Sequence, residues 1–129
     1  MTAPPLRLTL SAPDTVRAGE PVTLVIRVTN PGDRPADAYF VGRDIAFDLV
    51  VRDSGGAIVW QRLAGRAVQS ILQVRILKAG ETLELRDVWR QRDGAGKPVP
   101  PGIYTVQGVV PGEEREPLKT EVRTVRIRD

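Results

Sequence analysis

Side chains able to do covalent chemistry are few in this chain. Among its 129 residues there is no histidine and no cysteine. The serines are Ser11, Ser54 and Ser70, and a serine needs a base, usually an imidazole, to become a nucleophile. The same two absences exclude disulfide frameworks, thiolate nucleophiles and Cys-based zinc or iron–sulfur sites. Carboxylates remain. Asp44 with Asp48, or Asp87 with Asp93, could form the pair that glycoside hydrolysis uses. Asp44, Asp53 and Asp93 could also offer oxygens to calcium. Their spacing matches no calcium loop, however, and aspartates between strands ordinarily hold turns through their own hydrogen bonds. The chain therefore reads as a non-enzyme with no cofactor and no metal.

The formal net charge is +3 and the sequence pI about 9.8. With nothing to titrate near neutrality, a small arginine excess carries the pI upward. Residues 61–112 hold the surplus, eight Lys and Arg against four Asp and Glu, including Arg86, Arg90, Arg92 and Lys97. Nucleic-acid binding asks for a denser basic face with interleaved aromatics, and aromatics are 5% of the chain. No nucleic acid is expected. No apolar run reaches the roughly 18 residues of a membrane-spanning helix, so no membrane partner is expected either. Met1-Thr2-Ala3-Pro4-Pro5 shows no charged segment followed by an apolar one. That suggests a cytoplasmic protein, or a periplasmic or secreted one if a leader has been removed.

The elements that must position any site are strands. Leu6, Leu8 and Leu10 alternate, as do Val22, Leu24, Ile26 and Val28, with the Ala18–Pro21 turn between them. Asn30-Pro31-Gly32-Asp33 ends the second strand, because proline cannot donate to a ladder. Ala38–Val41 is a short apolar segment. Ile45, Phe47, Leu49 and Val51 alternate again, and Asp53-Ser54-Gly55-Gly56 turns the chain back through Trp60. Residues 63–77 fit a strand or a short helical turn. A strand over 82–90 places Leu83, Leu85 and Trp89 on one face and Arg86, Val88 and Arg90 on a charged opposite face. After a loop over 91–102 rich in Gly and Pro, Tyr104 and Val106 share a face of the next strand. An acidic loop follows (Glu113, Glu114, Glu116), and the last strand, about 119–128, turns Val125 and Ile127 inward.

Seven to nine short strands with turns between them, and no amphipathic helix, predict an all-β fold. The expected architecture is an antiparallel Greek-key β-sandwich of immunoglobulin-like type. One domain over 1–129 is expected, with 1–5 flexible. Trp60 and Trp89, on adjacent strands, are expected in the core between the sheets. Gly102 permits a sharp start to the strand that carries Tyr104. The Tyr104 hydroxyl would then reach back to the backbone as a tyrosine corner, or the ring would be an ordinary core tyrosine.

Four segments in order resemble the BsuPI family, the bacterial intracellular proteinase inhibitors. They are Val22–Asn30 with its Asn-Pro-Gly-Asp loop; Phe47–Asp53 running through Gly55-Gly56 to Trp60; Leu77–Leu83 around Gly80-Glu81; and Trp89 with Val99-Pro100-Pro101-Gly102 and Tyr104. The resemblance covers roughly residues 6–110. It implies an immunoglobulin-like sandwich that inhibits an intracellular, subtilisin-like serine protease.

Such proteases bind substrate as an extended strand, so an inhibitor needs an exposed segment held in that form. Two loops qualify. Residues 63–69 offer Leu63 or Arg66 to a specificity pocket. Residues 91–101 are stiffened by prolines and offer Lys97, Val99 and Pro100. The protein is expected to act as a monomer on a serine protease partner. Two other readings stay open: a non-inhibitory adhesion or scaffold module of a secreted or envelope protein, and a carbohydrate- or calcium-binding sandwich.

Overall fold

Val22, Leu24, Ile26 and Val28 point the same way because side chains of a strand alternate faces, and in the computed structural model all four are buried. The structure describes residues 6–112 and 116–129; the expected flexible stretch 1–5 and the acidic Glu113 and Glu114 lie outside the described residues. Among the described residues there are eleven strand segments and no helix. They are β1 (Arg7–Ser11), β2 (Thr15–Arg17), β3 (Val22–Thr29), β4 (Ala36–Val41), β5 (Asp48–Arg52), β6 (Ile58–Gln61), β7 (Leu72–Leu77), β8 (Thr82–Trp89), β9 (Gly102–Val110), β10 (Leu118–Lys119) and β11 (Arg123–Arg128). The count exceeds the expected seven to nine because β2 and β10 are too short to show alternation.

The sheets are β1-β3-β8 on one side and β2-β11-β9-β5-β6 on the other, with β10 on β9 and a two-stranded ribbon β4-β7. Pairing is antiparallel except between β2 and β11, which is parallel. This is an all-β sandwich. Leu24, Ile26, Leu49, Val51, Trp89, Val106, Val125 and Ile127 fill the space between the layers. Residues 63–77 resolve into a turn at 62–65, an irregular stretch over 66–71 and strand β7.

The β3–β8 ladder ends at Thr29 opposite Thr82 and resumes as β4–β7 at Ala36 opposite Leu77. Asn30 sits at the corner, fully buried. Its Nδ2 donates to the carbonyls of Arg34 and Leu77 at 2.7 and 3.0 Å, and its Oδ1 accepts the Gly32 amide at 3.0 Å. These bonds occupy backbone groups that the break in the ladder would otherwise leave unpaired.

The last strand is interrupted at 120–122. Thr120 is buried there: its backbone N–H donates to the Gly108 carbonyl and its Oγ1 accepts the Gly108 N–H, both at 2.9 Å. Glu121 and Arg123 then reach the other sheet. Glu121 accepts the Leu10 amide at 3.1 Å, and Arg123 donates to the Leu10 carbonyl at 3.0 Å.

Trp60 and Trp89 do not lie on adjacent strands of one sheet. They face each other from β6 and β8, in opposite sheets, with ring centroids 6.4 Å apart and planes 27° from parallel. Trp89 is buried and Trp60 half-buried. Tyr104 meets Trp89 edge-on at 5.6 Å. Its hydroxyl donates to the Pro100 carbonyl at 2.5 Å, and burial, with the charge of Asp53 added, raises its pKa. Gly102 has φ +155°, in a region that side chains with a Cβ rarely enter. Tyr104→Phe is expected to cost about 1–2 kcal/mol, because the Pro100 carbonyl loses its donor. Denaturant melts with no resolvable change would show that the bond contributes nothing.

Candidate functional site

A chain that leaves β6 must cross one end of the sandwich before β7 can begin, and its start is pinned by acidic residues. Asp48 is buried at the beginning of β5. Its Oδ1 accepts the Leu63 amide at 3.0 Å and its Oδ2 accepts the Gln61 side chain at 2.7 Å. Arg62 points between the sheets. Its guanidinium donates to Asp87 at 2.6 Å and to the Phe47 carbonyl at 2.7 Å, and lies 3.8 Å over the Phe47 ring. Burial works against ionisation of Asp87. The Val88 amide and the Arg62 cation outweigh it, with a further pull from Arg66, so the carboxyl sits below the ordinary aspartate range.

Beyond this anchor the chain is exposed. Gly65 takes a positive φ of 74°, and every residue from Ala64 to Leu72 is exposed, without regular secondary structure over 66–71. The far end is fixed where the Gly42 amide donates to the Ile71 carbonyl at 2.7 Å. The Gln73 side chain holds the same turn, donating to the carbonyls of Gly42 and Arg43 at 2.6 and 2.9 Å. Between the 42–46 turn and this segment runs an open groove of about 390 Å³, lined in part by Arg43, Asp44, Leu63, Arg66 and Val68.

The loop over 91–101 is built differently. Asp93 Oδ1 accepts the amides of Ala95 and Lys97, both at 2.9 Å. Asp93 and Lys97 also pair through their backbones, and Arg92 bridges to Pro98. Gln91 is buried with φ +57°, and its side chain donates to the carbonyls of Arg17 and Glu20. The result is a closed hairpin rather than an extended strand. Val99, expected among the outward contact residues, faces the core: its amide bonds to the Gln91 carbonyl, and its side chain packs with the Trp89 and Tyr104 cluster. Lys97 and Pro100 are exposed.

The two loops meet along β6. The Gly94 amide donates to the Val59 carbonyl at 3.0 Å, and Ala64 shares a groove with Trp60, Asp93 and Gly94. Leu63 is half-buried at the turn and Arg66 exposed beyond it. Sequence reasoning missed Asp48, Arg62 and Asp87 as the supports of this end. Asp87 lies on the same face of β8 as Leu85 and Trp89, a polar break in an apolar row that could have revealed it. Of the aspartates weighed for chemistry, Asp48 and Asp87 hold the anchor just described, Asp53, like Asp93, accepts amides of its own turn, from Gly55 and Ala57, and Asp44 is exposed in the 42–46 turn. Among the described residues no cluster of acidic side chains is placed to hold a metal ion. Among the described residues no helix is long and apolar enough to cross a membrane.

A family model described as BsuPI, intracellular proteinase inhibitor, matches residues 9–115. No curated protein gives a significant match. Several solved structures are similar in fold. The alkylpurine DNA glycosylase AlkC of Pseudomonas fluorescens, bound to DNA with an abasic site analog, matches at 18% identity and TM-score 0.52 over 96% of this chain. A β-glucosidase from Listeria innocua in complex with glucose matches at 15% and 0.52 over 97%. The CARDB domain of the PF1109 protein from Pyrococcus furiosus, in complex with di-metal ions, matches at 15% and 0.50 over 96%. The chain spans 30% of the glycosylase chain, 16% of the glucosidase chain and 93% of the CARDB chain. At these identities the likeness is one of fold, which many unrelated functions share.

Proposed function

The chain belongs to the BsuPI family of intracellular proteinase inhibitors, and from that premise we propose that it inhibits a subtilisin-like serine protease of the cytoplasm. The inhibitory element is the segment 64–71. The observation that carries this choice is an exposed, irregular stretch fixed at both ends, by Asp48 on the Leu63 amide and by Gly42 on the Ile71 carbonyl. A protease cleft takes an extended chain by adding it as a strand. Fixed ends reduce the entropy lost on binding.

Arg66 is the side chain that enters the specificity pocket, since it stands clear of the sandwich just past the Gly65 turn. Leu63 is the anchored residue behind it. Lys97 and Pro100 belong to the neighbouring hairpin on the same edge and form the rim of the contact. The hairpin itself spends its backbone groups on internal bonds, so it offers no strand to a cleft.

The test is the inhibition constant against a purified subtilisin-like protease, with the inhibitor's integrity followed by mass spectrometry. Wild type is expected to slow the enzyme and stay intact. Arg66→Glu should weaken inhibition by about 30-fold, the size of a hot-spot loss, and Lys97→Glu by less than about 5-fold, as for a rim charge. Wild type that is digested as a substrate, or that leaves several such enzymes unaffected, overturns the proposal. Equal losses in the two variants would remove the assignment to 64–71.

A further inference from the structure

We propose that β7 is a self-pairing edge through which two copies of the chain form a weak antiparallel dimer. The inference is independent of the inhibitory reading. β7 pairs with β4, and among the described residues no strand covers its other edge. At the far edge of β4 the chain comes close at Gly112, where an added Cβ would stand 2.6 Å from the Tyr39 carbonyl oxygen. β4 is thus approached on that side by Gly112 and, through the Ala46 amide on the Val41 carbonyl, by its own following turn, whereas no described strand lies along β7.

The backbone of β7 has a definite orientation. Gly42 lies opposite Ile71 in the continued register, and its amide bonds to the Ile71 carbonyl. By the alternation of antiparallel ladders, residues 71, 73, 75 and 77 direct their backbone groups at β4. Leu72, Val74 and Ile76 direct theirs outward. The same three side chains are 51%, 49% and 67% exposed. Beside them on that face of the ribbon, Val41 and Tyr39 are half-buried. Natural edges are usually blunted by proline, a bulge or inward charge. β7 has neither proline nor bulge; its one charge, Arg75, lies on the core-side face with buried Leu77, away from the three exposed apolar side chains.

A second copy fits this edge because the outward groups are symmetric about Val74. A two-fold axis there sets Val74 against Val74 of the second copy and Leu72 against Ile76. Each such pair exchanges both of its N–H···O bonds. Gln73 then faces Arg75 of the second copy, the same donor–acceptor combination that the two make within one chain. An axis at Arg75 would instead oppose two like charges, and one at Gln73 would leave Ile76 without a partner. The contact is isologous and closes on itself. Edge pairing of one short strand buries less than the roughly 1,200 Å² of a stable interface, so the dimer is expected only at high concentration.

Sedimentation equilibrium from about 1 μM to about 500 μM tests this by mass action. The wild-type mass should rise from 14.1 kDa toward twice that value, and Val74→Arg should remain monomeric. Ile103→Arg, which charges an exposed position on the outer face of β9, should dimerise as wild type does. The chain has no cysteine, so Val74→Cys gives a second measurement. Across the axis its Cα atoms would lie about 5.5 Å apart, within disulfide reach. Mild oxidation should cross-link that variant and not Ile103→Cys. Wild type that stays monomeric throughout, a Val74→Arg variant that melts normally yet still dimerises, or a Val74→Cys variant that does not cross-link would overturn the proposal.

Discussion

Trp89→Ala is expected to lower the unfolding free energy by about 3–5 kcal/mol, the range for emptying a large aromatic from a core. Trp89 is 1% exposed, the largest fully buried side chain among the described residues. It is the common neighbour of the Trp60 and Tyr104 rings. Its indole N–H donates to the Arg92 carbonyl at 2.9 Å, so the same residue ties β8 to the 91–101 hairpin. Truncation removes apolar contact on both sheets and deprives a backbone carbonyl of its donor. Folded domains have only about 5–15 kcal/mol in total, so the variant should be partly unfolded at physiological temperature. Urea melts at constant m-value measure the loss. A loss below about 1.5 kcal/mol would mean that the two sheets close over the gap and that the indole is not central to the core.

Asn30→Ala should cost about 2–4 kcal/mol, although it removes little apolar surface. The Leu77 carbonyl loses its partner in a buried place, and the Arg34 carbonyl and the Gly32 amide lose theirs in part-buried ones. Each buried group left unsatisfied costs about 1–3 kcal/mol. Asn30→Asp separates this account from simple loss of volume. At neutral pH it sets a buried carboxylate against two carbonyl oxygens and should be worse than alanine; in acid, protonation restores one donor and the gap should narrow. Thermal melts of both variants across pH give the comparison, and an aspartate tolerated as well as asparagine at pH 7 would rule out the donor role.

The sandwich was legible because each long strand carries its own period-two record: Val22 to Val28 on β3, Leu49 and Val51 on β5, Val125 and Ile127 on β11. What escaped has identifiable causes. β2 spans three residues between turn signals, too few for alternation to register. The facing arrangement of Trp60 and Trp89 depends on which strand joins which sheet, a property of topology rather than of local pattern. Val99 sits between prolines in a stretch that reads as loop, and only the Gln91 carbonyl on its amide turns it inward. The apolar alternation of Leu72, Val74 and Ile76 normally marks a buried face, yet here it is an open one. At the candidate site, the segment after β6 was recognisable as a loop of suitable length. Its anchors were not, because Asp48, Arg62 and Asp87 meet from three separate parts of the chain.

The parallel pairing of β2 with β11 bears on biosynthesis. The Asp14 carbonyl accepts the Arg126 amide, and the Ala18 amide donates to the Arg128 carbonyl. The partner of one of the first strands of the sandwich is thus its last strand in chain order. Until β11 has left the ribosome, β2 has nothing to lie against and the flank of β9 reserved for β11 stays bare. Closure of the second sheet must wait for β11 to emerge, and contacts so distant in sequence form slowly. A nascent chain stalled before Arg123 would leave unsheltered strand flanks, which is where a chaperone would be needed.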